Sequence, residues 1–101
     1  SGNPPPKIPV KKATVTVEKP ETGNIKLDLH GQRAEEALEN LDKFLSDAIL
    51  SGFEEVLVYH GIGTGKLAFA VKEYLKKHPK VRGFEDAHPS SGGFGAKVVK
   101  L

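Results

Sequence analysis

Residues 25–30 alternate, with apolar Ile25, Leu27 and Leu29 between polar Lys26, Asp28 and His30. A period of two belongs to an extended strand with one apolar face, and Gly31 ends it. From Arg33 the period changes. Ala34, Ala37, Leu38, Leu41, Leu45, Ala48 and Ile49 recur at spacings of three and four, which is one face of an α-helix. Glu35 and Glu36 fall in its first turn, where carboxylates suit the helix dipole, and Gly52 is a natural stop. Val56-Leu57-Val58-Tyr59 is continuously apolar and of strand length, the pattern of a strand buried on both faces. A glycine-rich turn follows at His60-Gly61-Ile62-Gly63-Thr64-Gly65. The spacing of Leu67, Ala70, Val71, Tyr74 and Leu75 predicts a second helix over 66–77. His78-Pro79 stops it, because the residue before proline resists the α region. Residues 81–86 read as a third strand, 88–95 (HPSSGGFG) as a loop and 96–101 (AKVVKL) as a last strand.

Upstream, 13–18 (ATVTVE) alternates and is β-branched, which fits a short extra strand, and Pro20 and Gly23 break it. Pro4-Pro5-Pro6 and Pro9 favour an extended tail over 1–12. The chain therefore divides into a linker or basic arm, 1–24, and one α/β domain, 25–101. The order β-α-β-α-β-β implies right-handed crossovers and parallel neighbouring strands. Two helices are too few to cover both faces of the sheet. The expected fold is a two-layer sandwich: a four-stranded mixed sheet with both helices on one face. The helices would cover the Ile25/Leu27/Leu29 side, leaving Asp28 and His30 together on the other.

The 101 residues are 38% hydrophobic and 28% charged, an ordinary balance for one globular domain. The absence of cysteine excludes disulfides and thiolate zinc sites. No apolar run reaches the ~20 residues of a membrane helix, and no secretory signal opens the chain, so a cytoplasmic setting is expected. With no methionine, the chain reads as a piece of a longer protein, Ser1-Gly2 being compatible with a tag remnant. The net charge of +2 does not by itself announce a nucleic-acid ligand, but its distribution is uneven. The first helix is rich in Glu and Asp, while 66–80 carries Lys66, Lys72, Lys76, Lys77 and Lys80 against Glu73. The ordinary reading is two solvated faces of opposite sign; the sharper one is that the lysine face meets a polyanion.

In open α/β sheets, ligands gather at the carboxyl ends of the parallel strands. Two loops end there, 28–31 and 60–65. If the third strand is parallel to these two, 88–95 reaches the same edge, bringing His30, His60 and His88 within range of one another. Gly61, Gly63 and Gly65 permit close backbone approach to a phosphate, with Thr64 among them. The amides of the following helix carry the positive dipole end, and Lys66 stands just inside it. A tight strand-to-helix turn with no ligand has the same composition. The stretch is not a Walker loop: Leu67 follows the lysine where Ser or Thr is required, and His60 occupies the place of the first glycine. It does not complete GxGxxG either, since Lys66 holds the last position. Asp28 and His30, two apart on one strand, can orient a base, take a proton from attacking water or hold a divalent ion; an exposed polar pair is the plain alternative. His60 can donate to phosphate or simply end a strand. His78 reads as a helix C-terminal residue, His88 as loop, and Phe94 as either a packing group or a base-stacking one.

Leu27-Asp28-Leu29-His30-Gly31, a helix of matching length and then His60-Gly61-Ile62-Gly63-Thr64-Gly65 resemble the LDxHG and HGxGxG elements of the Smr (small MutS-related) domain, over about residues 25–101. The Glu-rich first helix, the run Leu75-Lys76-Lys77-His78-Pro79 and the Gly-rich stretch before Val98-Val99 are similar to the version at the C-terminus of the second MutS subfamily. The resemblance implies a fold similar to the C-terminal domain of translation initiation factor three. It also implies endonuclease activity, and binding of branched or nicked DNA or of RNA. The parent protein would be a dimeric ATPase that suppresses recombination or acts in ribosome rescue. By that resemblance Asp28 and His30 match the positions implicated in cleavage, and His60, Gly61, Gly63 and Gly65 the second motif. Arg33 and Lys66, at the two helix starts, are added as phosphate neutralisers. Mg²⁺ or Mn²⁺ at Asp28 and His30 is the one cofactor considered, and no ATP site is expected. This part would be monomeric and would not engage membranes. Three activities compete: a nuclease, a non-catalytic module for branched DNA or ribosomal RNA, and an enzyme for small phosphate esters, disfavoured by the missing nucleotide motifs.

Overall fold

The computed structural model describes residues 14–19 and 24–101; the tail expected over 1–12 lies outside them. Five strands, β1 (Thr14–Lys19), β2 (Asn24–Asp28), β3 (Glu55–Tyr59), β4 (Gly83–Asp86) and β5 (Ala96–Lys100), and two helices, α1 (Ala34–Leu50) and α2 (Lys66–Lys77), follow in the order β1-β2-α1-β3-α2-β4-β5. The strands form one sheet in the spatial order β1-β2-β3-β5-β4. The short N-terminal strand is therefore real, and it makes a fifth member of the sheet rather than part of a free linker.

β2 and β3 are parallel, as a βαβ step requires. The second expected parallel neighbour is not formed. β5 inserts between β3 and β4 and pairs antiparallel with both. The short connection from β4 brings the chain straight back, and it completes the ladder that a second parallel pair would have used. Since both pair antiparallel with β5, β3 and β4 still run the same way, so β2, β3 and β4 end at one edge of the sheet.

α1 buries Ala37, Leu41, Phe44, Leu45 and Ala48, and α2 buries Val71 and Leu75. They meet Leu27, Leu29, Val56, Val58 and Val99 in one apolar core. Phe44 joins this face although the helical pattern does not mark it, and Ala34, which the pattern does mark, is exposed. The helices are tied across their solvent side by the Tyr74 hydroxyl, which donates to Asp42 Oδ1 at 2.6 Å. That carboxylate and partial burial raise the Tyr74 phenol above its ordinary range, burial being the larger cause.

β3 is buried on both faces for a reason its apolar run only hinted at. Val56 and Val58 face the helices, while Leu57 sits on the reverse face with Ala87 and Ala96, flanked by Tyr59 and Val98. The face opposite the helices is thus partly covered near β5 and open towards β2. His78 closes α2 in an extended conformation (ψ 123) before Pro79, as the pre-proline clash demands.

Leu45 is fully buried at the centre of the helix layer. Leu45→Ala is expected to cost about 2–5 kcal/mol by the lost transfer energy and the cavity left behind, read as a lower urea midpoint at unchanged slope.

Candidate functional site

Asp28 is the last residue of β2, and the chain turns immediately after it. Leu29 N–H still donates to Tyr59 O at 2.7 Å, and Gln32 N–H closes the turn on Leu29 O at 3.0 Å. The Asp28 carboxylate accepts the His30 backbone N–H at 2.9 Å. It thereby holds the turn that presents the imidazole, an Asx-type arrangement. His30 is exposed just beyond the strand. Its ring lies 5.9 Å from that of Tyr59, the residue that pairs with Asp28 across the sheet. Lys26 Nζ stands 5.2 Å from the Tyr59 ring centroid. Asp28, His30, Tyr59 and Lys26 so share the face away from the helices.

The glycine loop meets this turn at one atom's distance. A Cβ on Gly61 would lie 2.8 Å from His30 Cδ2, and the residue has φ +82, a region side chains rarely occupy. The third loop docks on the same point: Gly95 O accepts from His60 N–H at 2.8 Å and from Gly61 N–H at 2.9 Å. The three loops therefore converge, and they do so through Gly61 and Gly95 rather than through three histidines. His88 caps a short 3-10 turn instead, its Nδ1 accepting Ser90 N–H at 3.1 Å.

His60 points differently from His30. It is buried (3% exposed), and its Nδ1 lies 2.6 Å from Gly61 O. A carbonyl only accepts, so Nδ1 carries the proton and Nε2 is a bare lone pair. That Nε2 is buried with no hydrogen-bond partner among the described residues. Burial depresses the His60 pKa below 6.5; the Gly61 carbonyl opposes the shift, Lys97 adds to it and Asp86 opposes it. The ring is accordingly neutral in the fold, and the tautomer leaves it no N–H to offer a phosphate.

His30, Gly31, Gln32, His60, the loop residues 61–65 and Leu67 line one cleft of about 270 Å³. Its rim includes the start of α2. Gly65 is the N-cap, no side chain caps the helix and no acidic residue lies in the first turn. Thr64 Oγ1 stands only at 3.4 Å from Lys66 N–H. The positive end of the helix dipole is thus not offset by a capping side chain or a first-turn carboxylate, and Lys66 is the first residue of the helix. Arg33, the N-cap of α1, is exposed and is not among the cleft residues; its N–H donates to Glu36 Oε1 at 3.4 Å. No three His, Asp or Glu side chains gather into a metal cluster among the described residues.

Three members of this edge carry no mark in the sequence reading. Tyr59 looks like the end of a core strand, Gly95 like one more loop glycine, and Gln32 like a surface residue. Yet Gln32 is buried and accepts from Asn40 Nδ2 at 2.8 Å, which ties the turn to α1.

The sequence profile of the Smr domain matches residues 27–101. Endonuclease MutS2 of Helicobacter pylori strain 26695 is 56% identical over 97 residues, 96% of this chain but only 13% of that protein. Endonuclease MutS2 of Staphylococcus epidermidis RP62A is 48% identical over 87 residues, 86% of this chain and 11% of that protein. The chain thus spans about an eighth of the length of these relatives. Among solved structures, the Smr domain of Thermus thermophilus MutS2 superposes with a TM-score of 0.73 at 39% identity, covering 75% of this chain and 95% of that one. YdaL, a stand-alone small MutS-related protein of Escherichia coli, shares the fold at TM-score 0.73 and 24% identity, over 93% of this chain and 86% of its own.

Two outcomes follow from this geometry. Gly61→Ala should cost about 1–3 kcal/mol by urea unfolding and displace the His30 ring, seen as a shift of its NMR resonances. Because the folded state keeps His60 neutral, the unfolded chain binds the extra proton. Stability is then complete above about pH 6.5 and declines as pH falls below it. The melting temperature of His60→Asn should fall less than that of the wild type between about pH 7.5 and 5.5.

Proposed function

The chain belongs to the Smr domain family, and from that premise we propose that it is the phosphodiester-cleaving module of a MutS-type ATPase that acts on branched or nicked DNA in suppressing recombination. The observation that carries this reading is the meeting of three loops at one sheet edge. There the His30 imidazole lies against the glycine loop, beside the uncapped start of α2. The backbone amides of that helix start and Lys66 hold the phosphate. His30 takes one proton of a water whose oxygen bonds to phosphorus, the P–O bond to one sugar oxygen breaks, and that oxygen takes a proton from solvent, to which the imidazolium then returns its own. Asp28 fixes the His30 backbone and stabilises the imidazolium by its charge. His60 is a positioning residue, holding Gly61 through the carbonyl bond. Arg33 contributes charge from outside the cleft.

Asp28 and His30 supply two donors, and Mg²⁺ or Mn²⁺ commonly takes one or two protein ligands with water and phosphate oxygens for the rest. An ion there would polarise the phosphoryl group. The name endonuclease carried by the MutS2 relatives supports the cleavage reading.

One observation favours a second reading, a non-catalytic module that places its parent on branched DNA or ribosomal RNA. One Asp28 oxygen is already engaged by the His30 N–H, a structural use that needs no reaction. The two separate in a nicking assay on supercoiled plasmid, with and without Mg²⁺ and Mn²⁺. His30→Ala and Asp28→Asn, the latter keeping an oxygen for the turn, are expected to lower the rate at least about 100-fold with binding within a few fold. Nicking at the wild-type rate by His30→Ala would mean that the site is wrongly assigned; no nicking by the wild-type chain itself, with binding intact, selects the second reading. In both, Lys66→Ala reduces the salt dependence of binding by about one counterion.

A further inference from the structure

Five large apolar side chains are exposed among the described residues: Val15, Leu50, Ile62, Phe69 and Phe94. Two of them lie on the glycine loop and on the loop docked against it, and a third lies in the first turn of the helix that follows. Ile62 (69% exposed) is on the loop itself and Phe94 (79%) on the loop docked against it. Phe69 (66%) lies in the first turn of α2, where its N–H bonds Gly65 O. Phe69 also follows Lys66 by three positions, so the two are neighbours on the helix surface.

Their placement is built into the fold. The Cβ direction of Gly95 comes within 3.4 Å of Gly61 Cα, and Ile62 and Phe94 are each one residue from that contact. One Cα step is 3.8 Å, so the Cα atoms of Ile62 and Phe94 lie within about 13 Å of one another. The backbone between them is tightly held, since both Gly61 and His60 N–H donate to Gly95 O. Phe94 has no core to fill: Gly95 and Ala96 on its C-terminal side are buried, and it is not. A fold that exposes aromatic and branched side chains beside an uncapped helix start that carries Lys66 offers apolar surface next to charge. A nucleotide has that same pairing, its phosphate charged and its base a flat apolar face. In a fully paired duplex those faces are stacked and hidden. They become available where bases are unpaired, and an apolar wedge can also separate a weakened step.

Resting on the nucleic-acid reading above, we propose that Phe94 and Ile62 are specificity-determining residues that contact the faces of unpaired bases beside the phosphate in the cleft. The site thereby selects nucleic acid with unpaired bases over continuous duplex. Phe69, next to Lys66, extends the same apolar rim. Selection then comes from base faces and not from base-edge hydrogen bonds, and it is tolerant of sequence.

The test measures binding of the 101-residue chain to two hairpins of one sequence, one fully paired and one with a short unpaired gap. Each is made as DNA and as RNA, and binding is read by fluorescence anisotropy. The wild type is expected to prefer the gapped form. Phe94→Ala should reduce the ratio of the two affinities about 5- to 100-fold. Ile62→Ser should reduce it less, and Phe94→Tyr should preserve it. Lys66→Ala should weaken both substrates alike and leave the ratio in place. Phe94 is exposed, so these variants should melt at the wild-type temperature. A ratio unchanged in Phe94→Ala, or a parallel loss on both hairpins, overturns the inference while the nucleic-acid reading stands. Absence of wild-type binding to either hairpin in either chemistry overturns both.

Discussion

A single β-carbon at position 61 would come within 2.8 Å of the His30 ring. The whole sheet edge is organised around its absence. The Asp28–His30 turn, the glycine loop and the loop before β5 each reach this point by a different route. They meet because Gly61 leaves room for an imidazole on one side, and on the other Gly95 O accepts from His60 N–H and Gly61 N–H at 2.8 and 2.9 Å. The His30 ring, the glycine loop and the loop before β5 are thereby held in one fixed relation.

The two histidines of the cleft divide the labour by burial. His30 is outside, held by its backbone bond to Asp28 and by its neighbour Tyr59, and is free to meet a ligand. His60 is inside, and its proton is committed to the Gly61 carbonyl. Desolvation keeps it uncharged, so it contributes geometry, and stability above its titration range, instead of charge. Two residues of one type, both at the ends of parallel strands, so acquire opposite roles from their surroundings.

The sheet separates stability from chemistry in the same manner. Its helix side carries the large core that includes Leu27, Leu29, Val56 and Val58. Its reverse side carries a small cluster around Leu57 and Ala96, and beyond it the Lys26–Tyr59–His30 group at the edge. The exposed residues of the reverse side belong to neither the large core nor its packed neighbours. The alternation of β2 enforces this, since successive residues face opposite sides.

The periodicity of the chain by itself determined the elements. The switch from a period of two at 25–29 to one of 3.6 after Arg33 marks β2 and α1, and the continuous run at 56–59 marks a strand buried twice. Local chemistry does that work: side-chain direction, proline sterics and glycine freedom act over a few residues and are written in order. The Asp28–His30 and His60–Gly65 motifs were legible for the same reason, and the family resemblance with them. What lay beyond reach was decided between segments distant in sequence. β5 inserting between β3 and β4, Tyr59 lying beside His30, Gly95 docking on Gly61 and His60 turning inward each depend on a partner more than twenty residues away or on burial that only the assembled layers create. No local pattern encodes such a contact, because its energy comes from water excluded once the sheet and helices have packed.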